Sequence, residues 1–317
     1  MRSFLGWVLG LTASTLSTAT AFGWGAEGHE AVADIARLHL TADTRLAITK
    51  ILGSDDIGPI ASWADQVRSA AFHQGPLAED PDARSLNKQF PHNGSWHFVD
   101  LPIGAAGYPS SGPFVSEDDV VHAAHRAVAA LEGEPNGLTR SQALKVLVHL
   151  IGDLHQPLHS TSGYFDLSHP ASPRLLRAGD AIDPEVNDRG GNLLFYGPRK
   201  ELHAYWDVVV IQKAAGHSTP AFLALLGSDE PKDWRTPGDY HHWVEAWVSE
   251  SNRIASDAVF GGLRYTSAEF TSAGKLHAIQ VVLPPGYEER AKAVIWQQIP
   301  KAGLRLADLL NHIRWAN

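Results

Sequence analysis

The stretch VHLIGDLHQPLH, residues 148–159, ends a segment whose apolar residues recur at helical spacing. His149 and Asp153 are four residues apart, so both side chains would lie on one face of the predicted helix. The proline of HQP would end the helix, and His159 follows at the point where the chain can turn back to the same side. This stretch therefore predicts both a helix and a metal-binding face on it.

Helical patterns also dominate the rest of the chain. Ser116 and Thr139 are expected to cap two of the helices, Pro198 to begin another, and Pro300 to kink the last. The sequence thus predicts an all-α, mainly α-helical fold in a single domain over residues 24–317. A small β-hairpin element is expected near the C-terminus. The predicted helices cover residues 30–40, 116–131, 139–157, 198–214, 239–260 and 287–313, and the predicted strand covers residues 275–283.

The N-terminal residues have the pattern of a secretory leader. Arg2 precedes an apolar run that ends in small residues, which predicts a signal peptide over residues 1–23 and a mature chain that begins at Trp24. The chain has no cysteine, which fits a bacterial periplasm or medium better than a eukaryotic secretory route. No other apolar run is long enough to cross a bilayer, so we expect a secreted or periplasmic protein without membrane insertion.

Composition narrows the class of protein and of site. The chain has 317 residues, of which 44% are hydrophobic and 19% charged, values that exclude disordered and collagen-like classes. The formal net charge of -9 excludes the basic surface of an ordinary nucleic-acid-binding domain. A site that handles phosphate must then obtain positive charge from bound cations, and the 17 histidines indicate metal ligands.

A second pair repeats the spacing of the first, because HAYWD places His203 and Asp207 four residues apart on another predicted helix. Imidazole and carboxylate ligands suit zinc, whereas calcium prefers more oxygen ligands; copper and nickel stay open. Two further segments supply ligand types. SWADQVR carries Asp65 beside Arg68, and SWHFVD carries His97.

Six motifs follow one another along nearly the whole mature chain: WGxxGH, WADxxR, WHFVD, HxxxDxHQPLH, GGN and HxxWD. Their order and internal spacing resemble those of the zinc-dependent, single-strand-specific nucleases of the S1/P1 type, which are related to bacterial zinc phospholipases C. The resemblance implies a mostly helical fold and three zinc ions. We expect the protein to act as a monomer.

The resemblance also implies a ligand set. One zinc would be held by Asp65, His97, His149 and Asp153. Asp153 would bridge to a second zinc, bound by His29 and by the free α-amine and carbonyl oxygen of Trp24, although the residues alone leave open that Trp24 merely starts a helix. The third zinc would be held by His159, His203 and Asp207.

The implied chemistry is hydrolysis of a phosphodiester. A hydroxide shared by two zinc ions would attack phosphorus, and the third zinc would stabilise the leaving 3′ oxygen. Asp65 and Asp153 would act through the metals, and Arg68 would bind a non-bridging phosphate oxygen. The implied substrates are single-stranded DNA and RNA, cut to 5′-phosphorylated products, and 3′-mononucleotides.

Recognition of the base is implied for Phe98, Asp100 and Asn192. Stacking on an aromatic face accepts any unpaired base.

The residues leave two alternatives open: a phospholipase C acting on lipid headgroups, and a secreted protein that binds zinc without catalysis. The long segment over residues 164–188 lies beside the expected pocket. Tyr164 and Phe165 within it, together with Tyr205, could line a second base site, although such aromatic residues more often pack locally.

Overall fold

Helices form most of the described chain, which comprises residues 24–70, 75–215, 219–223 and 234–316 of the computed structural model. The mainly α-helical prediction is confirmed, whereas the predicted signal peptide lies outside the described residues. Within those residues, no helix is long and apolar enough for a membrane span. The α-helices are α1 (Gly25–Leu38), α2 (Ala42–Leu52), α3 (Trp63–Ala70), α4 (Pro81–Gln89), α5 (Val120–Leu131), α6 (Arg140–Leu154), α7 (Leu202–Ala204), α8 (Val210–Ala215), α9 (Thr219–Leu223), α10 (Trp243–Ile254) and α11 (Tyr287–His312).

Helix α6 is the centre of the core. Its side chains are buried from Gln142 onwards except at Lys145, so the helix is enclosed on all sides. The Thr139 hydroxyl accepts from the Gln142 N–H, and the Gln142 side chain accepts from the Thr139 N–H. This capping box confirms the predicted start. Helices α1, α3, α5, α10 and α11 pack around α6, and its metal-binding face is therefore held inside the protein.

Two predicted helix starts are wrong. Asp119, not Ser116, caps α5, because its Oδ1 accepts from the N–H groups of Val121 and His122 while Oδ2 accepts from Ser116 N–H. The helix predicted from Pro198 begins only at Leu202, since the residues before it form a turn. Helix α4 was missed within a Pro- and Asp-rich stretch, although Asp80 caps it and proline occupies its first turn.

Short strands accompany the helices. Strands β1 (Tyr164–Asp166) and β2 (Arg174–Leu176) form an antiparallel pair within the long segment over residues 164–188, for which the sequence predicts no strand. Strands β4 (Arg264–Phe270) and β5 (Leu276–Val282) form the hairpin predicted near the C-terminus, and β3 (Leu194–Phe195) adds to β5 in parallel. Strands of two or three residues are too short to show an alternating pattern, which explains why β1, β2 and β3 were missed.

A buried ionic network joins α6, α10 and α11. Arg305 of α11 donates to Glu250 Oε2 at 2.6 Å and to His155 Nε2 at 3.1 Å, and Lys301 donates to Glu250 Oε1 at 2.7 Å. The His155 ring donates from Nδ1 to the Ile151 carbonyl. Burial and the neighbouring Arg305 lower the pKa of His155 to about 3. His155 therefore serves as a neutral acceptor for Arg305 and stabilises helix packing.

Replacing Glu250 by Gln should lower the free energy of unfolding by about 2–3 kcal/mol. The substitution leaves two cations without their carboxylate, and the loss stays below the roughly 3–5 kcal/mol of a fully buried pair because Glu250 is 18% exposed. Urea denaturation at fixed zinc concentration measures the change. The exposed Glu289→Gln is the matched control and should leave the midpoint unchanged. A Glu250→Gln midpoint equal to that of the control would contradict this role.

Candidate metal centre

Four side chains from three elements converge at the first group. Asp65 comes from α3, His97 from a 3-10 turn over Asn93–His97, and His149 and Asp153 from α6. His97 Nδ1 lies 3.1 Å from His149 Nε2 and 3.0 Å from Asp153 Oδ2. Asp65 Oδ1 lies 3.6 Å from both ring nitrogens. All four side chains are almost completely buried.

These separations fit one tetrahedral zinc ion. Bonds of about 2.0–2.2 Å place tetrahedral ligand atoms about 3.3–3.6 Å apart, close to the observed 3.0–3.6 Å. His149 Nδ1 donates to the Ala61 carbonyl at 2.7 Å, so its Nε2 lone pair points into the group. Two imidazole nitrogens and two carboxylates that converge in a buried site form a donor set that suits a metal ion.

A second group lies on the other oxygen of Asp153. His29 Nε2 lies 3.4 Å from Asp153 Oδ1, and both atoms are buried without a well-directed hydrogen bond to any described residue. Buried polar atoms are rarely left in this state unless something else satisfies them. The His29 ring stacks on the His149 ring with centroids 4.0 Å apart. Asp153 thus presents one oxygen to each group, as a bridging carboxylate would.

Trp24 stands immediately before α1 and is completely buried. Its side chain packs on Gly28, next to His29 in sequence. Trp24 therefore starts a helix, and this placement is compatible with a ligand role. The role of its amine stays a prediction, because the residues that precede it lie outside the described part of the chain.

The third group consists of His159, His203 and Asp207. His203 Nε2 lies 3.2 Å from His159 Nε2 and 3.1 Å from Asp207 Oδ2. The other ring nitrogens donate to backbone carbonyls, His159 to His97 and His203 to Gly190, which directs both Nε2 atoms inward. Asp207 lies in a π-helical turn over Tyr205–Val209, an irregularity frequent at functional sites.

Electrostatics favour cations at the centre. Burial alone would raise the pKa of Asp153, but His149 and His159 beside it hold that pKa well below its usual range. Burial lowers the pKa of His97 to about 4 and that of His159 to about 3, so these rings are neutral as ligands must be. Among the histidines, burial is outweighed at His149, where Asp153 and Asp65 raise the pKa to about 9, and at His203, where Asp207 raises the pKa.

A cleft opens beside the third group and contains the residues predicted to bind substrate. Its volume is about 1010 Å³, and Arg68, Phe98, Asp100 and Asn192 line it together with His159 and His203. Arg68 lies 3.3 Å from Asp65 Oδ1, at the side of the first group. Phe98 is 37% exposed, a high value for an aromatic side chain. The structure therefore brings the predicted metal ligands and the predicted base-binding residues to one place.

Asp100 is oriented by a residue that the sequence did not single out. The Ser162 hydroxyl donates to Asp100 Oδ1 at 2.6 Å while accepting from the Gly190 N–H at 2.7 Å. Burial raises the pKa of Asp100, opposed by this hydrogen bond and by Arg189 nearby. Gly190 has a φ of 60°, and a Cβ there would lie 2.5 Å from the Leu158 carbonyl, which explains the glycine in GGN. Asn192 Nδ2 donates to the Arg189 carbonyl.

The predicted second base site at Tyr164, Phe165 and Tyr205 is not formed as an open surface. All three side chains are buried. Phe165 packs edge-on against Tyr265, and the Tyr164 hydroxyl donates to the Asp100 carbonyl at 2.6 Å. Tyr205 packs against Tyr196 and Tyr287, so these aromatic residues pack locally, and of the three Tyr164 supports Asp100.

Gly152 is a further residue without an assigned role in the sequence. A Cβ at this position would lie 2.6 Å from His29 Nδ1 and 2.9 Å from His29 Cε1. The glycine within HLIGD therefore lets α1 approach α6 closely enough for His29 to reach Asp153. In the sequence, the indication of this role is that Gly152 directly precedes the predicted ligand Asp153.

Comparison with known proteins finds a family match along most of the chain. The model of the S1/P1 Nuclease family matches residues 24–314. Nuclease S1 of Aspergillus oryzae is 27% identical, over 96% of this chain and 97% of its own length. Nuclease P1 of Penicillium citrinum is 24% identical over 92% of this chain and 97% of its own length, and Endonuclease 3 of Arabidopsis thaliana 22% over 97% and 94%.

Replacing Gly152 by Ala should remove about one bound metal ion per chain. The added methyl group displaces His29, whereas the first and third groups keep their ligands. Elemental analysis after dialysis, with circular dichroism as a check on folding, measures the result. Gly107→Ala is the control, because a Cβ there meets its nearest atom at an ordinary 3.5 Å. If the Gly152→Ala protein kept the full metal content of the unchanged protein, the proposed role of Gly152 in admitting His29 would be refuted.

Proposed function

Because this chain belongs to the S1/P1 nuclease family, we propose that it is an exported zinc-dependent phosphodiesterase. It hydrolyses single-stranded DNA and RNA to 5′-phosphorylated products and removes phosphate from 3′-mononucleotides. One observation carries the proposal: three groups of buried His and Asp side chains lie beside a cleft that presents Phe98 and Asp100. The names of two relatives, Nuclease S1 and Nuclease P1, support the nuclease part of this proposal.

Three zinc ions fit the residues present. Asp65, His97, His149 and Asp153 would hold the first, and His159, His203 and Asp207 the third. His29 and the second oxygen of Asp153, with the amine and carbonyl of Trp24, would hold the remaining ion. When bound, zinc supplies Lewis acidity to the phosphate and lowers the pKa of water to near neutrality.

The chain's own residues position the phosphate. Asp65 Oδ1 lies 3.3 Å from an Arg68 nitrogen, and this contact holds the planar guanidinium at the side of the cleft. From there Arg68 can donate to a non-bridging phosphate oxygen. The positive charge on Arg68 and on the bound ions accounts for the attraction of a polyanion to a protein with a net charge of -9.

The base pocket gives the preference for single strands. A base can stack on the exposed Phe98 ring only when it has left the duplex. Ser162 occupies one oxygen of Asp100 as a donor, which leaves the other oxygen to accept an N–H from the base edge. A choline headgroup offers neither a planar ring that stacks nor an N–H, so this pocket favours a nucleobase over phosphatidylcholine.

Replacing Asp153 by Asn should reduce hydrolysis of single-stranded DNA to background. The loss should exceed the roughly 10²–10³-fold effect of removing one transition-state donor, because Asp153 faces two groups. Steady-state rates at saturating zinc, with end-group analysis of products, test this. Asp180→Asn, in an exposed turn, is the control and should keep full activity. Turnover by Asp153→Asn within tenfold of the unchanged protein would contradict the assignment.

Replacing Asp100 by Ala should lower kcat/KM for base-bearing strands by about 10- to 100-fold, the value expected for a hydrogen bond to a charged group. Hydrolysis of an abasic strand of equal length should not change, because its phosphates still reach Arg68. Comparing the two substrates with both proteins measures the difference. Equal losses on both would refute base recognition. Hydrolysis of phosphatidylcholine faster than DNA by the unchanged protein would instead support the phospholipase alternative.

A further inference from the structure

The cleft extends beyond the pocket of Phe98 and Asp100. Its volume of about 1010 Å³ is at the upper end of the range for small-molecule pockets. Its lining also includes Phe270, Lys275 and Leu276 at the tip of the β4–β5 hairpin and Leu167 and Val186 of the long segment. These residues, the hairpin face, include no predicted metal ligand and no part of the proposed base pocket.

Phe270 is unusually exposed for an aromatic side chain. It is 41% exposed, a value close to the 37% of Phe98. The other large hydrophobic side chains with comparable exposure in the described chain are aliphatic: Leu38, Leu46, Val208 and Val282. The two exposed phenylalanines thus line one cleft, although they are far apart in sequence.

The hairpin tip is held rigidly. Phe270 pairs with Leu276 across the hairpin, so the two side chains lie on the same face. The turn between them is closed by the Thr271 N–H donating to the Lys275 carbonyl and by the Gly274 N–H donating to the Thr271 carbonyl, each at 2.9 Å. The backbone that carries Phe270 is therefore fixed by strand pairing and by the hydrogen bonds of the turn.

The hairpin is also anchored to the base pocket. The Ile279 N–H of β5 donates to the Leu193 carbonyl at 2.7 Å, one residue after Asn192. On the other strand, the Ala268 N–H donates to the Pro170 carbonyl at 2.7 Å. These bonds connect the hairpin to the GGN segment and to the long segment, so Phe270 keeps its place relative to Asn192.

Charge at the hairpin face suits a phosphate. Lys275 is exposed, adjoins Phe270 across the turn, and forms no ion pair with the described residues. Glu185 and Glu201 line the same cleft, so the face is not uniformly basic. Lys275 therefore places a positive charge next to the exposed Phe270 ring on the same hairpin.

We propose that Phe270 and Lys275 form a second nucleotide site, in which a base flanking the cut site stacks on Phe270 while its phosphate contacts Lys275. The site rests on the proposed nuclease function and adds to it a preference for strands over mononucleotides. Stacking on Phe270 accepts any unpaired base, and the ammonium group of Lys275 binds phosphate as a point charge. An aromatic ring beside a cation, in a cleft that continues to Asp100, favours a nucleotide over an acyl chain.

The test compares a substrate with one base and a substrate with several. Phe270→Ala and Lys275→Gln are made alongside Leu46→Ala and Lys50→Gln, which alter an exposed leucine and an exposed lysine on α2. For each holoenzyme, kcat/KM is measured on a 3′-mononucleotide and on a short single strand. Binding is measured with a strand of phosphorodithioate linkages, which resists hydrolysis and keeps its charge.

Phe270→Ala should weaken strand binding and lower kcat/KM on the strand by about 5- to 10-fold, the lower part of the range for loss of one stacked base. Lys275→Gln should reduce the slope of log affinity against log salt by about 0.7, the value for one single-strand phosphate. Neither variant should change hydrolysis of the mononucleotide. Both controls should match the unchanged protein on every measurement.

Unchanged strand binding and cleavage in both variants would overturn the site while leaving the nuclease proposal intact. Equal losses on mononucleotide and strand would also overturn it, because the residues would then act through the fold. If the unchanged protein cleaves neither substrate, the nuclease proposal fails. The second nucleotide site is then judged by binding alone, and it stands only if Phe270→Ala and Lys275→Gln weaken binding of the resistant strand. Loss of phosphatidylcholine hydrolysis in Phe270→Ala without any change in strand binding would assign the face to lipid.

Discussion

The structure depends on one buried carboxylate. Asp153 is completely enclosed in α6, where an unpaired negative charge would be prohibitively unfavourable. His149 approaches one oxygen at 3.1 Å and His29 the other at 3.4 Å. The rings of the first group also face one another beside this carboxylate. Metal ions bound here would couple binding to folding, because the ions that would carry out the chemistry would also compensate the buried charge of Asp153.

The fold supports this centre through backbone groups. Three histidine rings donate to main-chain carbonyls, which fixes their tautomers before any metal arrives. Each of these carbonyls belongs to another short element, at Ala61, His97 and Gly190. The ligand geometry is therefore set by tertiary structure, and the apolar surroundings of α6 exclude the water that would otherwise satisfy these groups. The ligands are thus held in a core without water. The cleft opens beside the third group, which favours substrate access from that side.

Much of the candidate centre could be predicted from the sequence, because i, i+4 pairs such as His149 with Asp153 have a fixed geometry on a helix. The order of the motifs, through the resemblance to a family, supplied the partners that local spacing could not. Contacts between distant segments could not be inferred. Ser162 beneath Asp100, Gly152 against His29 and the tip of the hairpin at Phe270 all depend on how helices and strands pack. The cap of α5 was misplaced because Ser116 and Asp119 are both good capping residues, and only the backbone path selects between them.

The central claim is that the buried His and Asp groups hold zinc ions that cleave single-stranded nucleic acid. Its most direct test is hydrolysis of single-stranded DNA by the chain beginning at Trp24, before chelation, after chelation and after zinc return, with product end groups identified. The account predicts that cleavage disappears with the metal, returns with zinc, and yields 5′-phosphorylated products. Cleavage that persists in the metal-free protein, or a fully metallated protein that leaves the strand intact, would contradict it.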